Sequence, residues 1–276
     1  MSEAASPLAQ RYLRQDMEEP QRLEALGGQI VVFTTRCPGN PDDNEDAAAV
    51  IDLDGKSGVL LVADGMGGGA AGEEASRRVV QSIQSAATKA AAEDIALRTV
   101  ILNGIEAANR SILDVGIGAA STLAAVEFQG EVIRPYHVGD AAVVVCGQRG
   151  KIKLRTVSHG PVGHAVAAGM IDDDEALNHE DLHLVSNVVG AEDMRIEIGP
   201  SLRLARYDTV LLATDGLYDN LSVAEIVQRV RKGPLLRCVK QLVAEVHERM
   251  QSPAAGTPSK PDDLTLIAFR LGRSRK

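Results

Sequence analysis

Acidic residues with the chemistry of a hard-metal site recur at the ends of apolar runs in this chain. Asp64-Gly65-Met66-Gly67-Gly68-Gly69 follows Val59-Leu60-Leu61-Val62-Ala63. Asp140 follows Val138-Gly139, Asp215 follows Ala213-Thr214, and Asp262-Asp263 opens the run from Leu264. Asp42-Asp43 and Glu45-Asp46 precede Ala47-Ala48-Ala49-Val50. A carboxylate at a strand end, followed by glycine, can share a tight space with bare backbone carbonyls. An oxygen-only corner of that kind suits Mg²⁺ or Mn²⁺. Five such clusters, all at strand ends, point to one metal centre assembled from across the fold.

The elements that must position them can be outlined from periodicity. Strands are predicted at Gln29–Phe33, Ala47–Asp52, Gly58–Ala63, Ser121–Phe128, Glu131–Val138, Ala141–Cys146, Lys151–Val157, Met194–Ile198, Asp208–Ala213 and Leu264–Leu271. Short turns such as Asp54-Gly55 and Gln129-Gly130 make neighbouring strands antiparallel. Ala70 to Val115 has apolar residues at helical spacing, with a break near Lys89–Asp94. Ser222 with Glu225 forms a capping-box pattern for one helix, and a second runs from Pro234 to about Met250. Residues 1–26 read as an N-terminal extension, with Leu8, Tyr12, Leu13 and Met17 on one helical face. Residues 27–273 read as one domain, with a polar flap over 158–190 whose acidic run Asp172–Glu175 starts a short helix. The order suits an α+β fold: a four-layer αββα sandwich of two antiparallel sheets flanked by helix pairs.

Composition narrows the function. The chain has 276 residues, 45% of them hydrophobic and only 3% aromatic, so its core is built from Val, Leu, Ile and Ala. A net charge of −9 argues against a nucleic-acid partner. It would also repel an anionic substrate unless cations offset the local field. No run approaches the length of a membrane span, and Met1–Ser6 lacks a basic start and an apolar core. Cys37, Cys146 and Cys238 are scattered. The expectation is a reduced cytoplasmic chain without membrane association or structural zinc.

Asn44-Glu45-Asp46, Val62-Ala63-Asp64-Gly65-Met66-Gly67-Gly68, Gly118-Ala119-Ala120-Ser121-Thr122, Val138-Gly139-Asp140, Ala213-Thr214-Asp215-Gly216-Leu217 and Asp262-Asp263-Leu264-Thr265 occur in that order. Together they resemble the metal-dependent serine/threonine protein phosphatases of type 2C, in their bacterial form, over about residues 28–271. The resemblance implies hydrolysis of phosphoserine and phosphothreonine on proteins by a metal-activated water at a binuclear Mn²⁺ or Mg²⁺ centre. By motif, Asp64 would bridge both ions, Gly65 would give its backbone carbonyl to one, and Asp215 and Asp262 would hold the other. Asp46, and less directly Glu45, would act through water. Asp140 with Asp215 would form a third, weaker site. Asp46, Asp64 and Asp215 are thus the candidate catalytic residues. The implied partner is a phosphoprotein, either a kinase or a phosphorylated regulator, met by a monomer.

Two departures bear on this reading. The family places a phosphate-gripping arginine where this chain has Pro41; Arg36, five residues earlier, is the candidate substitute. Met66 stands where animal relatives carry a histidine, so a proton donor must come from elsewhere. Ser158-His159 stands where relatives often have Asp-His; His159 is read as a helper or as a structural flap residue, and His137, His164 and His247 as structural or solvated. Gly65-x-Gly67-x-x-Ala70 also matches a dinucleotide fingerprint, which needs a parallel strand and an acid after the helix. His179-Glu180-Asp181-Leu182-His183 matches a zinc-protease pattern, which needs a helix. The alternative function is a phosphatase-fold module, weak or inactive, that binds a regulatory partner.

Overall fold

A computed structural model describes residues 8–272 apart from 94, 117, 253, 255 and 256. One sheet runs in the order β1 (Leu8–Leu13), β4 (Ala47–Asp52), β5 (Ser57–Ala63), β8 (Leu123–Gln129), β9 (Val132–Val138), β12 (Glu197–Ile198), with β13 (Leu202–Arg203) also on β9. The other runs β11 (Ile152–Arg155), β10 (Ala142–Cys146), β14 (Thr209–Ala213), β15 (Leu264–Leu271), β3 (Gly28–Thr35), β2 (Gln21–Ala25). The pairings are antiparallel, and a two-residue ribbon joins β6 (Gly65–Met66) to β7 (Ala120–Ser121).

Alternation within each strand feeds two cores at once. Ala47, Ala49 and Ile51 face one helix pair, α1 (Ala70–Glu93) and α2 (Leu97–Leu113), whereas Ala48 and Val50 face the opposite sheet. In β15, Leu264, Leu266 and Ala268 face α6 (Val223–Val230) and α7 (Leu235–Gln251), and Ile267 and Phe269 face inward. Strands covered on both faces need apolar residues at every position, so they read as unbroken apolar runs rather than as an apolar–polar alternation. The expected αββα sandwich is therefore the observed one.

The N-terminal segment differs from expectation. It forms strands β1 and β2 at the sheet edges, not a helix; residues 1–7 lie outside the described part. Tyr12 packs between the sheets and Leu13 against the α1/α2 side. Neighbouring residues on opposite faces are a strand pattern. The open edge of β4 supplies the ladder, from Leu8 opposite Asp52 to Leu13 opposite Ala47. Three further short helices flank the site: α5 (Asp215–Tyr218) directly after β14, and, within the flap, α3 (Pro161–Ala167) followed by α4 (Asp173–Leu177). The capping boxes at Ser222 and at Asp172 are both formed. The expected strand at Met194–Ile198 shortens to β12, with a turn at Ala191–Met194 ahead of it.

Candidate metal centre

Register explains why the acidic groups meet. Ala47 pairs with Ala63, so Asp46 before β4 and Asp64 after β5 lie at the same end of one ladder. Leu123 pairs with Val138, which brings Gly139-Asp140 to that end. In the facing sheet, Ala142 pairs with Ala213 and Leu264 with Thr35, so Asp215 and Asp262-Asp263 leave from a common edge. Antiparallel pairing thus places one strand's last residue beside its neighbour's first.

Hydrogen bonds hold the carboxylates in place. The Thr214 hydroxyl donates to Asp46 Oδ2 at 2.8 Å, and Asp46 N–H donates to Asn44 Oδ1 at 2.9 Å. Asn44 in turn donates to Gln15 O at 2.7 Å and to Thr34 Oγ1 at 2.9 Å, which ties the Asp46 turn to β3 and the N-terminal segment. Thr122 N–H donates to Asp64 O at 2.8 Å. Asp263 accepts from Cys37 N–H at 2.7 Å and from Glu45 N–H at 2.6 Å, clamping three loops. Two glycines are demanded by close approach: a Cβ on Gly65 would lie 2.0 Å from Gly72 O, and one on Gly216 would lie 1.9 Å from Asp263 O.

Burial of so many carboxylates raises their proton affinity. Burial pushes Asp64 well up, and Asp215, Asp46, Asp140 and Asp262 add to it. Asp46 is pushed well up by burial, then by Asp263. Asp140 rises to about 8 through burial and the charges of Asp215 and Asp219. Asp219 rises to about 7 and Asp262 to about 6, each through burial first and Asp215 second. The Asp140 Oδ1 atom is buried and has no hydrogen-bond partner. A buried carboxylate oxygen without a donor is what a cation ligand looks like before its ion is considered. The donor set is all oxygen, so the residues present fit Mg²⁺ or Mn²⁺.

The residues singled out from sequence fall into two groups. Asp46, Asp64, Gly65, Asp140, Asp215 and Asp262 lie together at this end of the sandwich. Arg36 follows β3, but its guanidinium is engaged elsewhere: Nε lies 3.0 Å from Asp16 Oδ2 and Nη1 donates to Pro41 O at 3.5 Å. Glu45 reaches the glycine loop, its Oε1 accepting from Gly69 N–H at 2.6 Å. Periodicity passed over Asp219 and Lys260. Asp219 lies one helical turn after Asp215, a spacing that puts both on one face. Lys260, two residues before Asp262, sends Nζ to 2.6 Å from Asp215 Oδ2, 2.8 Å from Asp219 Oδ2 and 3.3 Å from Asp262 Oδ2.

The competing motifs do not survive. β5 pairs antiparallel with β8, so the strand–glycine–helix unit lacks the parallel partner of a dinucleotide fold. His179 to His183 lie in a turn with both histidines exposed, and the His179 ring accepts from Asp181 N–H at 3.1 Å. A separate trio, His137, His159 and Glu197, brings one donor atom each to within 4.8 Å of one another. Both rings are already committed. His137 Nε2 lies 2.8 Å from Val157 O, and His159 Nδ1 accepts from Gly139 N–H at 3.1 Å and from Asn187 Nδ2 at 2.8 Å. The His159 Nε2–H therefore points to Glu197 Oε2 at 3.2 Å. His159 is a flap histidine that braces the turn before Asp140.

A cavity of about 280 Å³ opens beside the cluster. Asp140, Asp215 and Asp219 line it together with Tyr218, Val223 and Val162 of the flap. No helix among the described residues is long and apolar enough to cross a membrane.

An αββα sandwich carrying acidic residues of both sheets at one end is the arrangement that the sequence motifs led one to expect. The family model for protein phosphatase 2C matches residues 39–254, and the chain belongs to that family of enzymes. The serine/threonine phosphatase stp of Listeria innocua is 28% identical over 193 residues, covering 66% of this chain and 75% of its own. Stp1 from Staphylococcus aureus superposes with a TM-score of 0.75 at 25% identity, covering 94% of this chain and 98% of that one. The catalytic domain of PstP, solved with two manganese ions, shares the fold at a TM-score of 0.66 and 22% identity, covering 87% of this chain and 96% of that one.

Proposed function

We propose that this chain hydrolyses phosphoserine and phosphothreonine on protein substrates, using two Mn²⁺ or Mg²⁺ ions and a weaker third site. The observation that supports this most is the convergence of Asp46, Asp64, Asp140, Asp215 and Asp262 at one end of the sandwich, with Asp140 Oδ1 buried and unpartnered. Asp64 and the Gly65 carbonyl would hold one ion, Asp215 and Asp262 the other, and Asp140 would contribute to the third. When bound, the ions offset the charge of the phosphoryl oxygens and make water a nucleophile at neutral pH.

The chain's own residues do the positioning. Thr214 keeps Asp46 Oδ2 occupied, so its other oxygen is the one left to orient water. The Thr122–Asp64 backbone bond fixes where Asp64 leaves its strand. The cavity beside Asp140 is wide enough for a residue flanking the phosphorylated one, and the flap that closes it would select among substrates. Arg36 would grip the phosphate after leaving Asp16. The three free cysteines fit a reduced, cytoplasmic setting. The catalytic domain, expected over 27–273 with its flap at 158–190, would extend forward to β1 and β2, which form edges of the same sandwich.

Aryl-phosphate and phosphopeptide hydrolysis with Mn²⁺, set against chelator, is the test. Asp64→Asn and Asp215→Asn should each abolish turnover with circular dichroism unchanged. Full activity after dialysis into chelator would exclude a metal-based reaction. A second reading, a weak or inactive module that binds a partner, is favoured by Pro41 at the arginine position; a metal-loaded protein silent on every phosphopeptide would select it.

A further inference from the structure

Lys260 is the only cation in contact with three of the site's carboxylates among the described residues. Its ammonium lies within 3.3 Å of Asp215, Asp219 and Asp262. Its backbone is anchored. The buried Asn220 side chain accepts from Lys260 N–H at 2.9 Å and donates to Lys260 O at 2.9 Å, and also donates to Gly216 O at 2.9 Å. One amide thus ties the lysine to the helix that carries Asp215 and Asp219. The neighbouring Ser259 hydroxyl donates to Arg249 O at 2.8 Å on α7, fixing the approach of the loop. The side chain above this anchor keeps 36% of its exposure, so it can leave toward solvent without disturbing the backbone.

We propose that Lys260 is a tethered cation that occupies the Asp215–Asp262 side of the centre and must be displaced for the second divalent ion to bind. This rests on the binuclear reading above. The physical reason is competition for the same oxygens. Each carboxylate contact that steadies the ammonium is lost when a divalent ion takes Asp215 and Asp262. Two consequences follow. The ion-free protein is spared part of the repulsion among its carboxylates. The second ion binds more weakly than its ligands alone would allow, so turnover responds to divalent-ion concentration. An occupant that fills the position in nine molecules of ten lowers apparent affinity about tenfold.

The test is Mn²⁺ binding to chelator-treated protein, followed by the electron paramagnetic resonance of free Mn²⁺ and by calorimetry. The wild type should show one tight and one weaker ion. Lys260→Met keeps the apolar stem without the charge; it should tighten the weaker ion by about tenfold and leave the tighter one unchanged. Its melting temperature without metal should fall, widening the gap between metal-free and Mn²⁺-loaded protein. Lys260→Arg should restore the wild-type pattern. If Lys260→Met does not fold, the wild-type Lys260 ammonium can be followed by ¹⁵N NMR; it should shift and exchange faster with water on Mg²⁺ titration. Equal Mn²⁺ affinities in wild type and Lys260→Met, or an ammonium signal indifferent to Mg²⁺, overturns the proposal while leaving the metal centre standing. Absence of Mn²⁺ binding in both proteins overturns the centre itself, and Lys260 with it.

Discussion

At the scale of single residues, the site is a set of carboxylates whose order depends on neighbours with no charge of their own. Thr214, Thr122, Asn44 and Asn220 hold Asp46, Asp64, the Asp46 turn and Lys260. Gly65 and Gly216 are required because other backbones pass where their Cβ atoms would be. Arg36 is the residue most open to direct test. It is the only Lys or Arg between Gly28 and Lys56. Its pair with Asp16 joins two half-exposed side chains, a contact of small energy that phosphate can displace. A guanidinium holds phosphate through two parallel bonds that lysine cannot copy. Arg36→Ala should therefore raise KM on a phosphopeptide with kcat little changed, and Arg36→Lys should recover only part. Wild-type KM in both variants would remove Arg36 from the phosphate site.

At the scale of elements, the flap is held to the sandwich mainly at its two ends. The His159 carbonyl accepts from the Ser186 N–H and hydroxyl, both at 2.7 Å, while its ring and backbone bond both polar groups of Gly139. Between these anchors, α3 and α4 bury only Val162 and Ala176. Segments with few buried apolar contacts open at low free energy. Amide exchange should be fast from Pro161 to Glu180 and slower in β9 and β14. His159→Ala removes the brace on the Gly139-Asp140 turn. It should speed exchange in the flap and at Gly139 and weaken the Asp140 metal position, with the sandwich's exchange unchanged. Slow exchange across Pro161–Glu180 in the wild type would refute the reading of the flap as loosely anchored.

At the scale of the whole molecule, packed carboxylates make the metal-free fold sensitive to pH in a defined direction. The ordinary carboxylate value of 3.8 is raised to about 8 in Asp140 and about 7 in Asp219. A raised folded pKa means that the folded state binds the proton more tightly, so the stabilisation is complete below the ordinary value and lost as pH climbs through the raised one. In chelator, the melting temperature of the wild type relative to Asp140→Asn should fall between about pH 4 and about pH 8. Mn²⁺ should restore it; an ion at 100 times its Kd adds about 2.7 kcal/mol. A wild-type melting temperature unmoved by millimolar Mn²⁺ at neutral pH would argue against a preformed site.

The length and continuity of the apolar runs determined the sandwich, because strands buried on both faces tolerate little except Val, Ile, Leu and Ala. The acidic residues at the ends of those runs were legible for the same reason: a charge next to such a run must sit where the sheet stops. The capping box at Ser222 was a local matter that needed no partner. What the sequence could not reveal depended on what lies alongside. The segment from Leu8 to Leu13 became a strand because β4 had an open edge to pair with. Arg36 pairs with Asp16, twenty residues earlier, a contact that spacing alone does not show. Lys260 entered the acidic cluster because Asn220, forty residues earlier, fixed its backbone beside Asp215. Long-range pairing and competition between charges are settled only when the chain is closed, and they decide which cation the centre meets first.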